Sequence, residues 1–456
     1  MSPETGQNQL SEPAALKLYA GLTWFFAPLF YLASPLLKYY GGFKDTVPER
    51  LGRFSPVLDE LERARGSRPL VWIHAVSVGE TAIAGPMMEA IRDRRPDALV
   101  ALSTTTFTGR DYVTRNLKPD ALFFYPLDLP GTMNRLVMKL KPDCFIDVEV
   151  ELWPNCFRAL KRAGVKMALA NGRISDRAAT PPLIVRGLYK WLLRCFDALF
   201  MRSAEDVERA IALGAPSDRT HLAGNLKFAA PGPPLPAEER KRIRTLLGVG
   251  DRGKLLVAGS THPGEDEKVL DAWSKLNSGL LPDEIGPLHL ILAPRHLEQV
   301  ERVTGLAKAA GGKTARWTEI RDGKGAPDAN VVIVDIIGEL MKLYGAADAA
   351  FVGGSLVPRG GHNVLEPVAV GVPTLHGPSM ANFHDLVRTL GQANLLIEVS
   401  DSDDLANSIK RVFMEFNLDE YRTRARELIG RQLKAADMIG DWVSANLPPA
   451  KPSNNP

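Results

Sequence analysis

From Pro69 onward the chain alternates short apolar runs with amphipathic stretches. PLVWIHAVS, ALVALST, ALFFYPL, CFIDVEVE, KMALANG and ALFMRS are apolar runs closed by polar or turn residues, the pattern of strands buried on both faces. Between them stand ETAIAGPMMEAIRDRR, TGRDYVTRNL, TMNRLVMKL, WPNCFRALKRAG and AEDVERAIALG, which read as helices. Strand–helix alternation of this kind predicts a parallel sheet covered by helices. The rhythm breaks at AAPGPPLP, residues 229–236, where four prolines in eight residues make a stiff linker. It then restarts with KLLVAGST, LHLILAPR, NVVIVDI, AAFVGGS, VPTLHG and NLLIEV, separated by helices such as EQVERVTGLAKAAG and IGELMKLYGAA. The expectation is an α/β protein of two doubly wound domains, residues 41–228 and 237–447, with a disordered tail at 448–456. Open α/β sheets bind ligands outside the carboxyl ends of their strands, and two such domains place the expected site in the cleft between them.

Ahead of the first domain, Leu18–Leu37 runs 20 residues without a charge, flanked by Lys17 and Lys38. That is about the 20 residues a helix needs to cross a bilayer. Trp24, Tyr31, Tyr39 and Tyr40 suit the membrane interface. The segment lacks the basic start and small-residue cleavage site of a signal peptide. Residues 1–40 are therefore expected to form an uncleaved anchor. Pro28 and Pro35 would kink a spanning helix, which keeps open a helix lying in the interface.

A chain of 456 residues is too long for one core and fits two or three domains. The formal net charge is +3, which makes nucleic acid no obvious partner. Residues 38–225 carry 28 Lys and Arg against 22 Asp and Glu, an excess that suits an anionic partner as well as ordinary solvated charge. Cys144, Cys156 and Cys195 lie far apart, with no CxxC and no zinc-like spacing, so neither disulfides nor a metal site is expected.

The polar and glycine residues cluster just after the strands. In the second domain these loops are GSTHPGED (259–266), APRH (293–296), DIIGEL (335–340) and GGSLVPRGGHNVLEP (353–367). Glycine lets a backbone approach a ligand, and Asn363–Glu366 would open a helix whose free N–H groups suit a phosphate. Arg295 adds a charge-assisted bond to the same phosphate, and Glu366 suits ribose hydroxyls. There is no GxxxxGK[ST] and no GxGxxG after the first strand, which argues against an ATPase or a simple dinucleotide dehydrogenase. In the first domain the loops are HAVSVGET, STTTFTGRD, YPLDLP, EVELWPN and NGRIS. Ser77-Val-Gly-Glu80 fits a capping box, while Gly79 beside it would let a substrate come close, so Glu80 reads equally as a helix cap or a base. Glu149 and Glu151, taken on one strand, would face opposite sides. Arg186, Lys190 and Arg194 form a basic stripe on one helix, at home on a membrane surface or in any amphipathic helix.

Taken together, HAVSVGE, EVELWPN, ANGRIS, GNLKF, GSTHPGE, LAPRH, GELMKLYG and FVGGSLVPRGGHNVLEP, in this order and spacing, resemble the bacterial 3-deoxy-D-manno-octulosonic acid (Kdo) transferases, over residues 49 to about 400. The resemblance implies a GT-B glycosyltransferase of two Rossmann-like domains facing a central cleft. It implies CMP-Kdo as donor on the second domain, a lipid A precursor (lipid IVA) as acceptor on the first, inversion at the anomeric centre, and no metal or cofactor. Its roles carry over by motif. Glu80 matches the general base; Glu149 and Lys227 match residues that stabilise the transition state. Pro294, Arg295, Ile337, Gly338, Glu339, Asn363, Val364, Leu365 and Glu366 match the cytidine monophosphate contacts. An acceptor held in the inner membrane, at its cytoplasmic face, accords with a single N-terminal anchor. Ala229, Pro263 and Pro358 depart from the family pattern beside these positions and leave open the number of sugars transferred. The alternatives are another nucleotide-sugar enzyme on the same scaffold, such as an epimerase or a transferase with a different donor, and an inactive membrane-tethered binding module.

Overall fold

The computed structural model describes residues 11–37, 46–54, 56–229, 235–324 and 328–449. The expected anchor, linker and tail therefore lie partly outside the described residues. The chain forms two compact units, the first ending near residue 230 and taking back the stretch from Arg431, the second spanning 231–430.

The first unit is built on seven parallel strands: β1 (Leu70–His74), β2 (Leu99–Thr104), β3 (Ala121–Phe124), β4 (Cys144–Val148), β5 (Lys166–Gly172), β6 (Ala198–Met201) and β7 (Thr220–Leu222). Their order is β3-β2-β1-β4-β5-β6-β7. In β1, Leu70 and Trp72 enter one apolar core and Val71 and Ile73 the other, so the run is apolar throughout because both faces are covered. The second unit repeats the plan with β8 (Lys254–Thr261), β9 (Leu288–Pro294), β10 (Thr314–Arg316), β11 (Val331–Ile333), β12 (Ala349–Val352), β13 (Thr374–His376) and β14 (Leu396–Glu398), in the order β10-β11-β9-β8-β12-β13-β14. Leu256 and Ala258 fill one of its cores, Leu255 and Val257 the other. The sheet order changes direction between β1 and β4 in the first unit and between β8 and β12 in the second. Those two switch points are where such sheets open a crevice at their carboxyl edge.

Two expectations need correction. Strand β4 stops at Val148, so Glu149 and Glu151 lie beyond it rather than alternating along it. Glu149 has φ +66°, a left-handed turn that ends the strand. The second domain does not run to 447. In the long helix Leu418–Asn446, Tyr421 is buried in the second unit, where its hydroxyl donates to the carbonyls of Val372 and Leu395. Ala435, Ile439 and Val443 instead enter a core of the first unit with Ile83, Met87 and Ile91. Gly440 permits the close approach, since a Cβ there would stand 2.8 Å from the Ala90 carbonyl. Strands β7 and β10 were not legible: each has three residues and sits at a sheet edge, too short and too polar for an apolar run.

The N-terminal helix, Ala14–Leu37, runs unbroken through Pro28 and Pro35. By length and composition its stretch Ala14–Leu32 could cross a membrane. One stripe of it is docked on the first unit. Leu16 and Ala20 are buried, Tyr19 donates its hydroxyl to Asp128 at 3.1 Å, and Asn155 donates to the Thr23 hydroxyl at 3.0 Å. Leu18, Leu22, Trp24, Phe25, Leu29 and Leu32 point outward, with Trp24 72% and Leu32 78% exposed.

Candidate active site

In the first unit, β1 turns through Ala75–Ser77 into the helix Val78–Arg94 at the β1/β4 switch point. The Val76 N–H donates to Glu80 Oε2 at 2.7 Å, and the Ser77 hydroxyl donates to Oε1 at 2.8 Å. Ser77 thus gives its proton to the carboxylate instead of accepting a helix N–H, and the reciprocal capping box is not formed. Glu80 ties down the turn, is 9% exposed, and keeps a lone pair on each oxygen. Burial raises its pKa; the bonds from Val76 and Ser77 oppose that, Glu149 adds to it, and Lys227 opposes it.

Glu149 and Lys227 are brought to the same place. Lys227 Nζ lies 2.8 Å from Glu149 Oε1. Asn171, at φ +54° near the end of β5, organises both: its side-chain nitrogen reaches Glu149 at 3.4 Å and its oxygen accepts the Leu226 N–H at 2.9 Å. That bond fixes the turn Leu226–Ala229, which carries Lys227. Left-handed backbone at non-glycine residues such as Glu149 and Asn171 costs about 1–3 kcal/mol each and clusters at functional sites.

The sequence singled out Glu151 without assigning it a role and missed Asp147, and both join the carboxyl cluster. Glu151 is pushed up to about 7 by burial and then by Glu80 and Glu149. Beneath it Asp147 is fully buried and held well above the carboxylate range, chiefly by desolvation, while its Oδ2 accepts the Glu151 N–H at 3.1 Å. The run DVEVE, three carboxylates in five residues, was the available signal. His74 belongs to the core: burial holds it near 3, its Nδ1 lies 3.0 Å from the Ser103 hydroxyl, and its ring stacks on Tyr125 at 4.0 Å.

In the second unit, the loops after β8 and β12 meet at the other switch point. Their organiser, also missed in the sequence, is Glu265. Its carboxylate is fully buried and accepts four backbone N–H groups: His262 and Gly354 at 3.1 and 2.6 Å, Ser355 and Leu356 at 2.8 and 2.7 Å. Gly353 is obligatory there, since a Cβ would stand 2.5 Å from the Ser260 carbonyl. Farther along the loop, Asn363 accepts the Leu365 N–H at 3.1 Å and donates to Glu366 at 3.3 Å. Val364 and Leu365 are buried anchors beneath it. Burial raises the Glu366 pKa, and Asn363 and the Arg295 charge oppose the rise. The helix that follows, Leu365–Ala369, has five residues, so the local N–H groups matter there more than a helix dipole. Pro294 ends β9 and is buried; Arg295 is exposed, and its N–H binds the Thr261 carbonyl. Ile337, Gly338 (φ +96°) and Glu339 form the turn before the helix Leu340–Ala346, with Ile337 83% exposed. Tyr344 of that helix lies close enough to Glu366 to feel its charge, and Gly259 leaves room for the Tyr344 hydroxyl. Among the described residues no group of three His, Cys, Asp or Glu side chains is placed to hold a metal ion.

Two parallel seven-stranded units with polar loops at their switch points define a GT-B type fold. UDP-GlcNAc 2-epimerase from Neisseria meningitidis bound to UDP-GlcNAc shares it, with TM-score 0.52 and 11% identity over 83% of this chain and 99% of that one. Anabaena HepE in complex with UDP does so with TM-score 0.50 and 12% identity, over 83% and 98%. Residues 45–230 match the family described as 3-deoxy-D-manno-octulosonic-acid transferase (kdotransferase). A 3-deoxy-D-manno-octulosonic acid transferase of Haemophilus influenzae is 32% identical over 73% of this chain and 76% of its own. One of Bordetella pertussis is 31% identical over 86% and 92%. The chain also spans about half (53%) of a bifunctional glycosyltransferase/methyltransferase of Fusobacterium nucleatum, at 30% identity over 77% of this chain. The protein is a glycosyltransferase, and it belongs to the Kdo transferase family.

Proposed function

We propose that the protein moves Kdo from CMP-Kdo to a lipid A precursor (lipid IVA) in lipopolysaccharide biosynthesis, with inversion at the anomeric carbon and without a metal ion. The observation that carries this reading is Glu80: a carboxylate at the β1/β4 switch point, raised in basicity by burial and set beside the Glu149–Lys227 pair. Glu80 takes the proton of the attacking sugar hydroxyl. Lys227, held by Glu149, offsets negative charge on the donor as the bond to the leaving phosphate lengthens. In the second unit, Arg295 and the N–H groups of the Asn363–Glu366 turn hold the phosphate. Glu366 takes the ribose, and Pro294 with the Ile337–Glu339 turn frames the nucleotide. The outward apolar face of the N-terminal helix, rich in Trp, Phe and Leu, rests in the cytoplasmic leaflet of the inner membrane, where the acceptor resides.

The test is the purified full-length protein in detergent with CMP-Kdo and a tetra-acylated lipid A precursor. CMP release matched by a Kdo mass increment on the lipid supports the reading, and the number of increments counts the sugars added. CMP release with the lipid mass unchanged, or no turnover, removes it.

A further inference from the structure

Three histidines gather within electrostatic reach of Arg295: His262 after β8, His296 after Arg295, and His362 before Asn363. The Nε2 atoms of His262 and His362 are 2.9 Å apart, and the rings are parallel within 4° at a centroid distance of 5.2 Å. His296 stands edge-on to His262 at 5.8 Å. Two imidazole nitrogens at that distance share one hydrogen: one ring donates Nε2–H, and the other, protonated on Nδ1, accepts. A second proton would set two N–H groups against each other and open the contact. Both rings are held by the surrounding loops. Glu265 accepts the N–H of His262 and that of Gly354, and the bare α-carbon of Gly354 seats His362, whose Cδ2 would lie 2.9 Å from a Cβ there. Arg295, Arg359 and His296 face the pair and oppose its protonation, Asp266 favours it, and the Glu265 carboxylate is taken up by four N–H groups. Burial is the largest cause and, with the guanidinium charges, holds His362 at about 4 and His262 below its usual value. At neutral pH the pair by itself is uncharged.

A nucleotide-sugar donor of the kind proposed above carries one negative charge on its phosphodiester. When the sugar leaves, the bond's electron pair stays on the phosphate oxygen, and the monoester gains a second charge, with a pKa near 6. Resting on that reading of the donor site, we propose that His262 and His362 load a proton to hold the departing phosphate. One imidazole takes a proton from solvent, the ring-to-ring contact opens, and the two Nε2–H groups it frees bind phosphate oxygens beside Arg295. The imidazolium charge offsets the new charge on the phosphate.

Calorimetric titration of CMP into the full-length protein at pH 7.5, in buffers of different ionisation enthalpy, reads the proton directly. The expected result is uptake of about one proton with CMP and none with cytidine. In His362→Gln the uptake disappears and Kd for CMP rises about tenfold. His262→Gln gives the same result should the first variant fold poorly, with melting curves as the check. Phosphorus NMR of bound CMP shows a dianion, which puts the proton on the protein. CMP binding without proton uptake, uptake unchanged in both variants, or a bound monoanion overturns the proposal. If CMP binds, Arg295→Ala weakens that binding, and no proton is taken up, only the role of the histidine pair falls. If CMP does not bind, or binds regardless of Arg295, the donor-site reading falls with it.

Discussion

At the scale of residues, the first-unit site is a problem in charge. Four carboxyl groups, Glu80, Asp147, Glu149 and Glu151, share a small region with one nearby ammonium, Lys227. Burial disfavours the ionised forms of Asp147, Glu151 and Glu80, so protons are retained by the most buried. Glu80→Gln keeps an oxygen for the Val76 N–H and should leave the melting temperature and CMP binding nearly unchanged, while kcat falls about 10²–10⁴-fold. A large drop in melting temperature with activity retained would return Glu80 to a helix-entry role. Because the pKa is raised from 4.5, the ionised base is lost as pH falls through a value above that of an ordinary glutamate. The acid limb of kcat should lie correspondingly high, and a limb at or below 4.5 counts against the assignment. Glu151 has a folded-state value of about 7 against 4.5, so its neutral form contributes stability that is full below 4.5 and lost as pH rises through 7. Glu151→Gln should therefore raise the melting temperature over the parent protein more at pH 8 than at pH 5. A gain independent of pH would contradict the assigned ionisation.

At the scale of elements, each site hangs on loops that bind one another. The second-unit loop after β12 is held by Glu265 more than by its own turns. Glu265→Gln offers one oxygen where two served four N–H groups. At about 1–3 kcal/mol per stranded donor, it should lower stability by about 2 kcal/mol or more and weaken CMP binding. Thermal melts and CMP titration check this, and unchanged CMP affinity would show that the loop does not need the clamp. Motif and strand-end position were legible here because polar and glycine residues interrupt apolar runs. The clamp was not, since Glu265 and Gly354 are 89 residues apart and nothing local marks a carboxylate as an acceptor for distant backbone. The same holds for Asn171, which joins the β4 and Lys227 turns from a bulge in β5.

At the scale of the whole molecule, the N-terminal helix has two apolar faces, one buried and one exposed. Its inner stripe is held by Leu16, Tyr19, Ala20 and Thr23, and Asp128, the buried partner of Tyr19, also accepts the N–H groups of Asn155 and Cys156 at the start of the helix Pro154–Arg162. Its outer stripe is apolar and exposed. Replacing Trp24, Phe25 and Leu29, all at least 60% exposed, with glutamate should abolish flotation with anionic vesicles while leaving the melting temperature within a degree or two. Deleting residues 1–37 removes the inner stripe as well and should destabilise the first unit. Retained flotation in the triple variant would place membrane attachment elsewhere.

The alternation of apolar runs and amphipathic stretches by itself determined two doubly wound units, and the polar and glycine residues by themselves marked the strand-end loops, because both follow from side-chain period and local backbone need. The eight quoted motifs carried the family. Tertiary structure alone decided which carboxylates share a site with Lys227, that Glu80 restrains the turn without a reciprocal cap, that two histidines 100 residues apart touch, and that the final helix adds to the first unit's core. Those outcomes depend on burial and on contacts distant in sequence, and neither has a local signature in the order of residues.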